Sequence, residues 1–510
     1  MKFANPVIPG FYPDPSVCRV GEDYYLVNSS FGYFPGLPIF HSRDLVNWRQ
    51  IGHCLSRDNQ LPLTSKSESE SFSFVGIYAP TIRHHNGRFY VITTNVSYNG
   101  NFIVWAERPE GPWSEPIYLD WPGIDPSLLF DQDGNIYITG TGSYQETPGI
   151  YQAQIDPDTG TLLSERRLVW EGTGGQSPEG PHLYRIGSFY YLLIAEGGTE
   201  YGHMVTLARS KQPYGPFEPC PQNPILTHRS IQNPIQATGH ADLVQAHDGS
   251  WWAVFLGIRV FHYPYYHHLG RETYLAPVAW TEADWPVIGD QGQVYLEMEG
   301  PAFYTGGQDS ESRFARDDFN FEYLGSQWNH IRNPQEGTVS LKKKTGWLTL
   351  YGTANGLDHQ SPQTFIGRRQ QDLECRVSAL VSFEPEFDGE EVGLAAYMNE
   401  KAHYEIAVVR KDGAKLILFR RRIGSMWKVE REEPLEPGEI ILAIRADAES
   451  YTFSYSQPGN EERIMGQGEC SYLSTEVSGG FTGVYFGMYA TGNGNPSQTP
   501  AFFDYFDYQR

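Results

Sequence analysis

At 510 residues the chain exceeds what one hydrophobic core usually organises, so its length predicts two domains. Aromatics at 14%, with 53 Gly and 35 Pro, suit many short strands joined by turns, and no window keeps a 3.6-residue apolar period beyond about two turns. A formal net charge of -23, with no basic cluster larger than Arg420-Arg421-Arg422 or Lys342-Lys343-Lys344, argues against nucleic acid and anionic membrane partners; both triplets are expected on solvated faces.

In chain order, five copies of one pattern fill the first 300 residues. They begin at Asp14-Pro15-Ser16, Ala79-Pro80-Thr81, Asp125-Pro126-Ser127, Glu179-Gly180-Pro181 and His240-Ala241-Asp242. Each meets a turn signal (Gly21-Glu22, Asn86-Gly87, Asp133-Gly134, Ile186-Gly187, Asp248-Gly249) and then an aromatic or apolar strand. That strand starts 10 or 11 positions after the lead residue every time. A hairpin unit of constant length, repeated five times, predicts a five-bladed β-propeller. A weaker repeat fits the tight turn to an outer strand: Ser42–Trp48, Pro109–Trp113, Asp156–Gly160 and Pro213–Phe217.

The pattern stops near residue 300. A stretch rich in Gly, Ser and charge, Thr305 to Arg316, reads as a linker, dividing the chain into 1–303, a linker at 304–316, and 317–510. Beyond it, strands are expected at Trp347–Tyr351, Gly393–Tyr397, Tyr404–Val409, Leu416–Phe419, Gly483–Tyr489 and Phe502–Tyr508, which together suggest a β-sandwich. The fold class expected is therefore all-β, a propeller followed by a sandwich. The five cysteines are few, odd in number and widely spaced, which suits free thiols in a reducing compartment. With no apolar run of signal-peptide or membrane-span length, a soluble cytoplasmic protein is expected.

In a propeller the residue opening each inner strand points into the central funnel. Asp14, Asp125 and Glu179 would converge there, at a cost in repulsion and desolvation that is unfavourable unless the chemistry uses it. Glycosidic-bond hydrolysis does: one carboxylic acid protonates the leaving oxygen while a second carboxylate draws a proton from water. Glu179, with the longer reach, is assigned as general acid and Asp14 as general base. Asp125 is expected to raise the pKa of Glu179 by like-charge repulsion. Taken singly, an Asp before Pro-Ser is ordinarily a turn or cap residue; three acids at matched positions of one repeat are not so easily explained. His240, at the fifth lead position, is a candidate to orient a sugar hydroxyl or to hold a water-coordinated Ca²⁺, against the ordinary reading of a packed histidine. Arg271 would hydrogen-bond sugar hydroxyls or steady a carboxylate, unless it pairs with its neighbour Glu272. Phe31 and Tyr78 are candidate apolar walls, and the smallness of Ala79 leaves room for a sugar ring.

These motifs resemble glycoside hydrolase family 43: Pro13-Asp14-Pro15-Ser16, Ile77-Tyr78-Ala79-Pro80, Ile124-Asp125-Pro126-Ser127, Glu179-Gly180-Pro181-His182 and Leu269-Gly270-Arg271-Glu272. They stand in the family's order across residues 1–300, and residues 317–510 look like the concanavalin-like sandwich of its β-xylosidase branch. The resemblance implies an inverting, exo-acting enzyme with Asp14 as base, Asp125 as pKa modulator and Glu179 as acid, needing no cofactor. It also implies that Phe481, from the sandwich, closes the pocket over one terminal pentose. Substrates would be xylo-oligosaccharides or arabinoxylan fragments, with β-1,4-xylosidase and α-L-arabinofuranosidase activity both open. Tyr78 stands where related xylosidases commonly have Trp, and Gly140–Tyr144, on the leaving-group side, is shorter than its counterpart. Three alternatives remain at this stage: a fructan-cleaving propeller, whose Asn-Asp-Pro and Arg-Asp-Pro tripeptides are missing here; a non-catalytic sugar-binding propeller; and a sandwich that acts as the binding module. Homo-oligomerisation is left open by the sequence.

Overall fold

Each copy of the sequence repeat forms the two inner strands of an antiparallel sheet. The computed structural model describes residues 1–63, 74–307 and 316–510. Blade one runs Ser16–Val20, Asp23–Val27, Gly36–Ser42 and Arg49–Leu55, from axis to rim. Blade two runs Thr81–His85, Arg88–Asn95, Gly100–Ala106 and Ile117–Tyr118; blade three begins with Ser127–Phe130 and Ile136–Thr141. Blade four begins with Glu179–Ile186 and Phe189–Glu196, and blade five with Ile235–Gln245 and Trp251–Arg259. At Asn86-Gly87 both residues have positive φ (48° and 79°), the geometry a two-residue hairpin needs to match strand twist. The weaker repeat also falls between third and outer strands, as between Gly36–Ser42 and Arg49–Leu55.

The period-2 alternation of the strands explains why the blades form a ring. In Tyr24-Tyr25-Leu26-Val27, Tyr24 and Leu26 pack against Val244, Trp252 and Val254 of blade five. Val27 faces the other way, onto Ile82, Phe89 and Val91 of blade two. The same division repeats between blades two and three, three and four, and four and five. Five apolar cores thus lie between blades, and burial of alternate faces closes the circle.

Across the axis runs one buried ion cluster. The Asp242 carboxylate accepts hydrogen bonds from Ser16 Oγ (2.6 Å), Val17 N (3.0 Å), Arg83 Nη1 (2.8 Å) and Tyr184 Oη (2.6 Å). One side chain therefore ties blades one, two, four and five. Burial opposes its charge, but Arg83, His182 and these donors hold Asp242 far below the usual carboxylate range.

The second unit is a two-sheet sandwich. Its seven-stranded sheet has Ala501–Gln509 and Cys375–Ser382 at the centre, and its six-stranded sheet is built around Tyr485–Thr491 and Glu391–Asn399. Alternation again sorts the residues. Val392, Leu394, Ala396 and Met398 enter the core between the sheets, while Ala395 and Tyr397 join a cluster with Phe11, Phe31 and Tyr33 of the propeller. The two units are joined along this outer face. Tyr33 stacks on Tyr485 with centroids 3.9 Å apart, Arg369 Nε donates to Phe11 O (2.7 Å), and His330–Ile331 pairs with Tyr33–Phe34.

Most of the expected linker, residues 308–315, lies outside the described residues. One expectation needs correction: Arg420 is not on a solvated face but reaches the buried Glu391 and Glu405. The strand sends alternate residues to opposite faces, so only Arg421 of the triplet pairs outward, with Glu430 and Glu469. All five cysteines are buried and free. Among the described residues the one α-helical segment is Thr475–Ser478, and no helix is long and apolar enough to cross a membrane.

Candidate active site

The lead residues sit where the inner strands begin or are interrupted, and their backbones are unusual. Asp14, Asp125 and His240 hold φ of 52°, 55° and 50°, in the left-handed region that non-glycine residues rarely occupy. In blade four the register shifts between Glu179 and His182, with Gly180 at φ 56°, and in blade five it shifts between Gly239 and Asp242. Such irregularities re-aim a side chain out of the pleat, and here they aim four lead residues into one space. Glycine is required at 180, because a Cβ there would lie 2.9 Å from His240 Nε2.

That space is a cavity of about 330 Å³ lined by Asp14, Asp125 and Glu179. Phe31, Tyr78, Ala79, His240, Arg271 and Phe481 line it too, so the structure brings together all nine residues singled out in the sequence. Phe481 crosses from the sandwich to lie 5.6 Å from Phe31 and 6.1 Å from Tyr78, ring centre to ring centre. Four further lining residues were not anticipated as site residues: Phe74, Ile124, Tyr144 and Thr199. Ile124 immediately precedes Asp125 and Tyr144 ends the Gly140–Tyr144 segment, so both carried a positional signal. Phe74 and Thr199 lie in loops with no repeat to mark them.

Asp14 is the best-held acid. It accepts from Ser29 Oγ and from Arg271 Nη1 (3.0 Å), and His240 Nδ1 stands 3.7 Å away. Burial favours its neutral form, yet Arg271, His240 and Ser29 outweigh burial and hold its carboxyl below the usual range. Glu179 is displaced the other way, up to about 7, by burial first and then by the charge on Asp14, with Arg271 opposing. Asp125 is also raised well above its ordinary value, by burial, then Glu179, then Asp14. The sequence predicts that Asp125 raises Glu179 by like-charge repulsion; the rise in Glu179 comes from burial and Asp14, and the repulsion between the pair falls on Asp125. Asp125 and Glu179 lie close enough for the charge on Glu179 to raise Asp125, so the two titrate as a pair.

Arg271 does not pair with Glu272, which is taken by Arg259 at 2.7 Å. It bridges Asp14 and Thr199 Oγ1, each at 3.0 Å, and lies 5.5 Å over the Phe31 ring and 5.4 Å over Phe481. Its Nε and Nη2 are buried without a hydrogen-bond partner among the described residues. His240 is buried and lines the pocket. Its charged neighbours are the Asp14 carboxylate, the Arg271 guanidinium and Asp242, burial keeps the imidazole neutral, and no group of three His, Cys, Asp or Glu among the described residues is arranged to hold a metal.

One buried carboxyl kept ionised, beside another kept protonated to about neutral pH, in a small pocket with aromatic walls, is the apparatus of a glycoside hydrolase. Comparison with known proteins agrees. Residues 3–286 match the model of glycosyl hydrolases family 43, and residues 316–509 match the β-xylosidase C-terminal concanavalin A-like domain. The chain belongs to family 43. It is 44% identical to a non-reducing end alpha-L-arabinofuranosidase of Bacteroides ovatus, over 99% of this chain and 94% of that one. A xylosidase/arabinosidase of Butyrivibrio fibrisolvens is 39% identical over 98% of each chain. The solved structure described as Bacteroides ovatus Xyloglucan PUL GH43B superposes with a TM-score of 0.94 at 44% identity, covering 100% of both chains.

Proposed function

We propose that this glycoside hydrolase releases terminal pentoses, β-1,4-linked D-xylose or α-L-arabinofuranose, from xylo-oligosaccharides or arabinoxylan fragments, with inversion at the anomeric carbon. The observation that carries the reading is the opposed displacement of two acids in one closed pocket: Asp14 ionised, Glu179 protonated up to about pH 7. Glu179 gives its proton to the glycosidic oxygen as the bond to C1 breaks. Asp14 takes a proton from a water that attacks C1 from the opposite face. Arg271 favours the ionised form of both acids, and the Gly180 N–H favours the ionised form of Asp125 alone.

Specificity follows from the walls. Phe31 and Phe481 enclose the terminal ring, and a hexose would have to bury its extra hydroxymethyl group against them unpaired. Arg271, which lines the cavity, supplies guanidinium donors toward the ring hydroxyls. A second cavity of about 330 Å³ shares Ile124, Tyr144 and Glu179 with the first and continues along Thr141–Gly149. It lies on the acid's side of the scissile bond, where the leaving sugar belongs. The likeness to the Bacteroides ovatus arabinofuranosidase favours α-L-arabinofuranose as the preferred terminal sugar. Comparing kcat/KM for an aryl α-L-arabinofuranoside with that for an aryl β-D-xyloside tests this; cleavage of neither would reject the reading.

A further inference from the structure

The loop that carries Phe481 is fastened to the propeller through one carboxylate. Glu476 belongs to the short turn Thr475–Ser478 of the sandwich, five residues before Phe481. Its Oε1 accepts from Tyr201 Oη (2.8 Å) and from His267 Nδ1 (2.8 Å), and its Oε2 from the His267 backbone N–H (3.1 Å). The imidazole is 9% exposed and the carboxylate 22%, so these contacts are partly sheltered from water. Three donors on one carboxylate, in two segments of the propeller, form a designed-looking junction rather than an incidental surface pair.

Each of the three segments meeting at Glu476 delivers a side chain to the pocket. Tyr201 lies two residues after Thr199, and His267 lies four residues before Arg271. Arg271 in turn bridges Thr199 and Asp14, and Phe481 lies over the Arg271 guanidinium. Beyond Phe481 the segments that bear it and Arg271 are packed backbone to backbone. Val484 N donates to His268 O (2.8 Å), and a Cβ on Gly483 would fall 2.4 Å from Leu269 O. The loop bearing Phe481 is thus held to the segment bearing Arg271 at both ends, by Glu476 before the phenylalanine and by Gly483 and Val484 after it, with only Gly479 and Gly480 to give between Glu476 and Phe481.

We infer that Glu476 is a positioning residue for the glycosidase reaction: through His267 and Tyr201 it sets the aromatic lid and the arginine that grips the base, and so governs how strictly the pocket accepts a pentose. The inference rests on the pentosidase reading for its kinetic test but not for its physical one. His267 presents both its ring and its main chain to Glu476, so the carboxylate recognises a segment and not merely a charge. Glu476→Gln keeps a carbonyl oxygen for one of these donors and gives up the charge, whereas Glu476→Ala removes every contact.

The test uses the full-length protein. In Glu476→Ala, KM for the aryl pentoside is expected to rise about tenfold while kcat falls no more than about threefold. Preference for the pentoside over the matching aryl hexoside should shrink by a similar factor, with Glu476→Gln between wild type and Glu476→Ala. Hydrogen–deuterium exchange should quicken in residues 475–484 and 197–202 of the unliganded variant and leave the blade strands unchanged. Tyr201→Phe, which deletes a single hydroxyl, should move the same quantities in the same direction by about two- to threefold and covers the case in which Glu476→Ala does not fold. Unchanged selectivity and exchange in folded variants would overturn the inference, as would a fall in thermal midpoint with selectivity intact. Should wild type cleave neither pentoside, the pentosidase reading fails, while the exchange measurement still decides whether Glu476 holds the loop.

Discussion

Replacing Glu179 with Gln removes the proposed proton donor and keeps the side chain's shape. An ordinary glutamic acid with a pKa of 4.5 would be only about 0.3% protonated at pH 7. Raised to about 7, the Glu179 carboxyl is roughly half protonated there, a gain of about 160-fold in the working form. General acid catalysis of this kind is worth about 10²–10⁴ in rate, or roughly 2.7 to 5.4 kcal/mol of barrier. Glu179→Gln should therefore lose about that factor on an alkyl pentoside, whose leaving group needs the proton. On a dinitrophenyl pentoside, which leaves as a stable anion, the loss should be within about tenfold. The sign of the pH dependence is fixed by the same group. Its folded pKa is raised and the protonated form is the working one, so wild-type kcat/KM should fall as pH rises through about 7, and this limb should vanish in the variant. Equal losses on both substrates, or a basic limb that survives the substitution, would refute the assignment of Glu179 as acid.

Asp14→Asn should abolish turnover of both substrates, since no leaving group replaces a base that activates water. Proton NMR of the first product released by wild type should show the anomer opposite to the substrate's; retention would overturn the inverting mechanism. Phe481→Ala should weaken discrimination against the hexoside by roughly 10–200-fold, the range expected for one buried methylene-sized difference, read as the ratio of kcat/KM values. Asp242→Asn leaves Arg83 buried beside a neutral amide and should cost about 3–5 kcal/mol of stability, measured by urea titration. The folded Asp242 pKa is depressed, so its contribution is present above the unfolded value near 3.9 and disappears as pH falls below it. An unchanged urea midpoint at pH 7 would show that the axial cluster does not hold the blades together.

The inner part of the site was legible because it is written in the repeat. Asp14, Ala79, Asp125, Glu179 and His240 occupy one structural position five times, and a period in sequence becomes a circle in space when each unit buries both faces against its neighbours. What position could not carry was the balance of charge. Asp242 stands two residues from a lead position and reads as one more acid, yet four converging donors from three other blades make it structural. The edge strands Met426–Pro434 and Arg463–Glu469 were also missed, the first because it carries charge on both faces and the second because Gly466 and Gly468 interrupt it, so neither shows the alternation that betrays a buried face. Phe481 was found through resemblance, and Glu476 was not found at all. Both belong to a loop whose meaning arises only when the sandwich docks on the propeller, where Tyr33 meets Tyr485 and His267 meets Glu476 across more than 200 residues of chain. Local pattern cannot encode a junction between two independently patterned units. The end of this pocket where Phe481 meets Phe31 is such a junction, so on the proposed function selectivity for a pentose would rest on the interface between domains and proton transfer on the propeller.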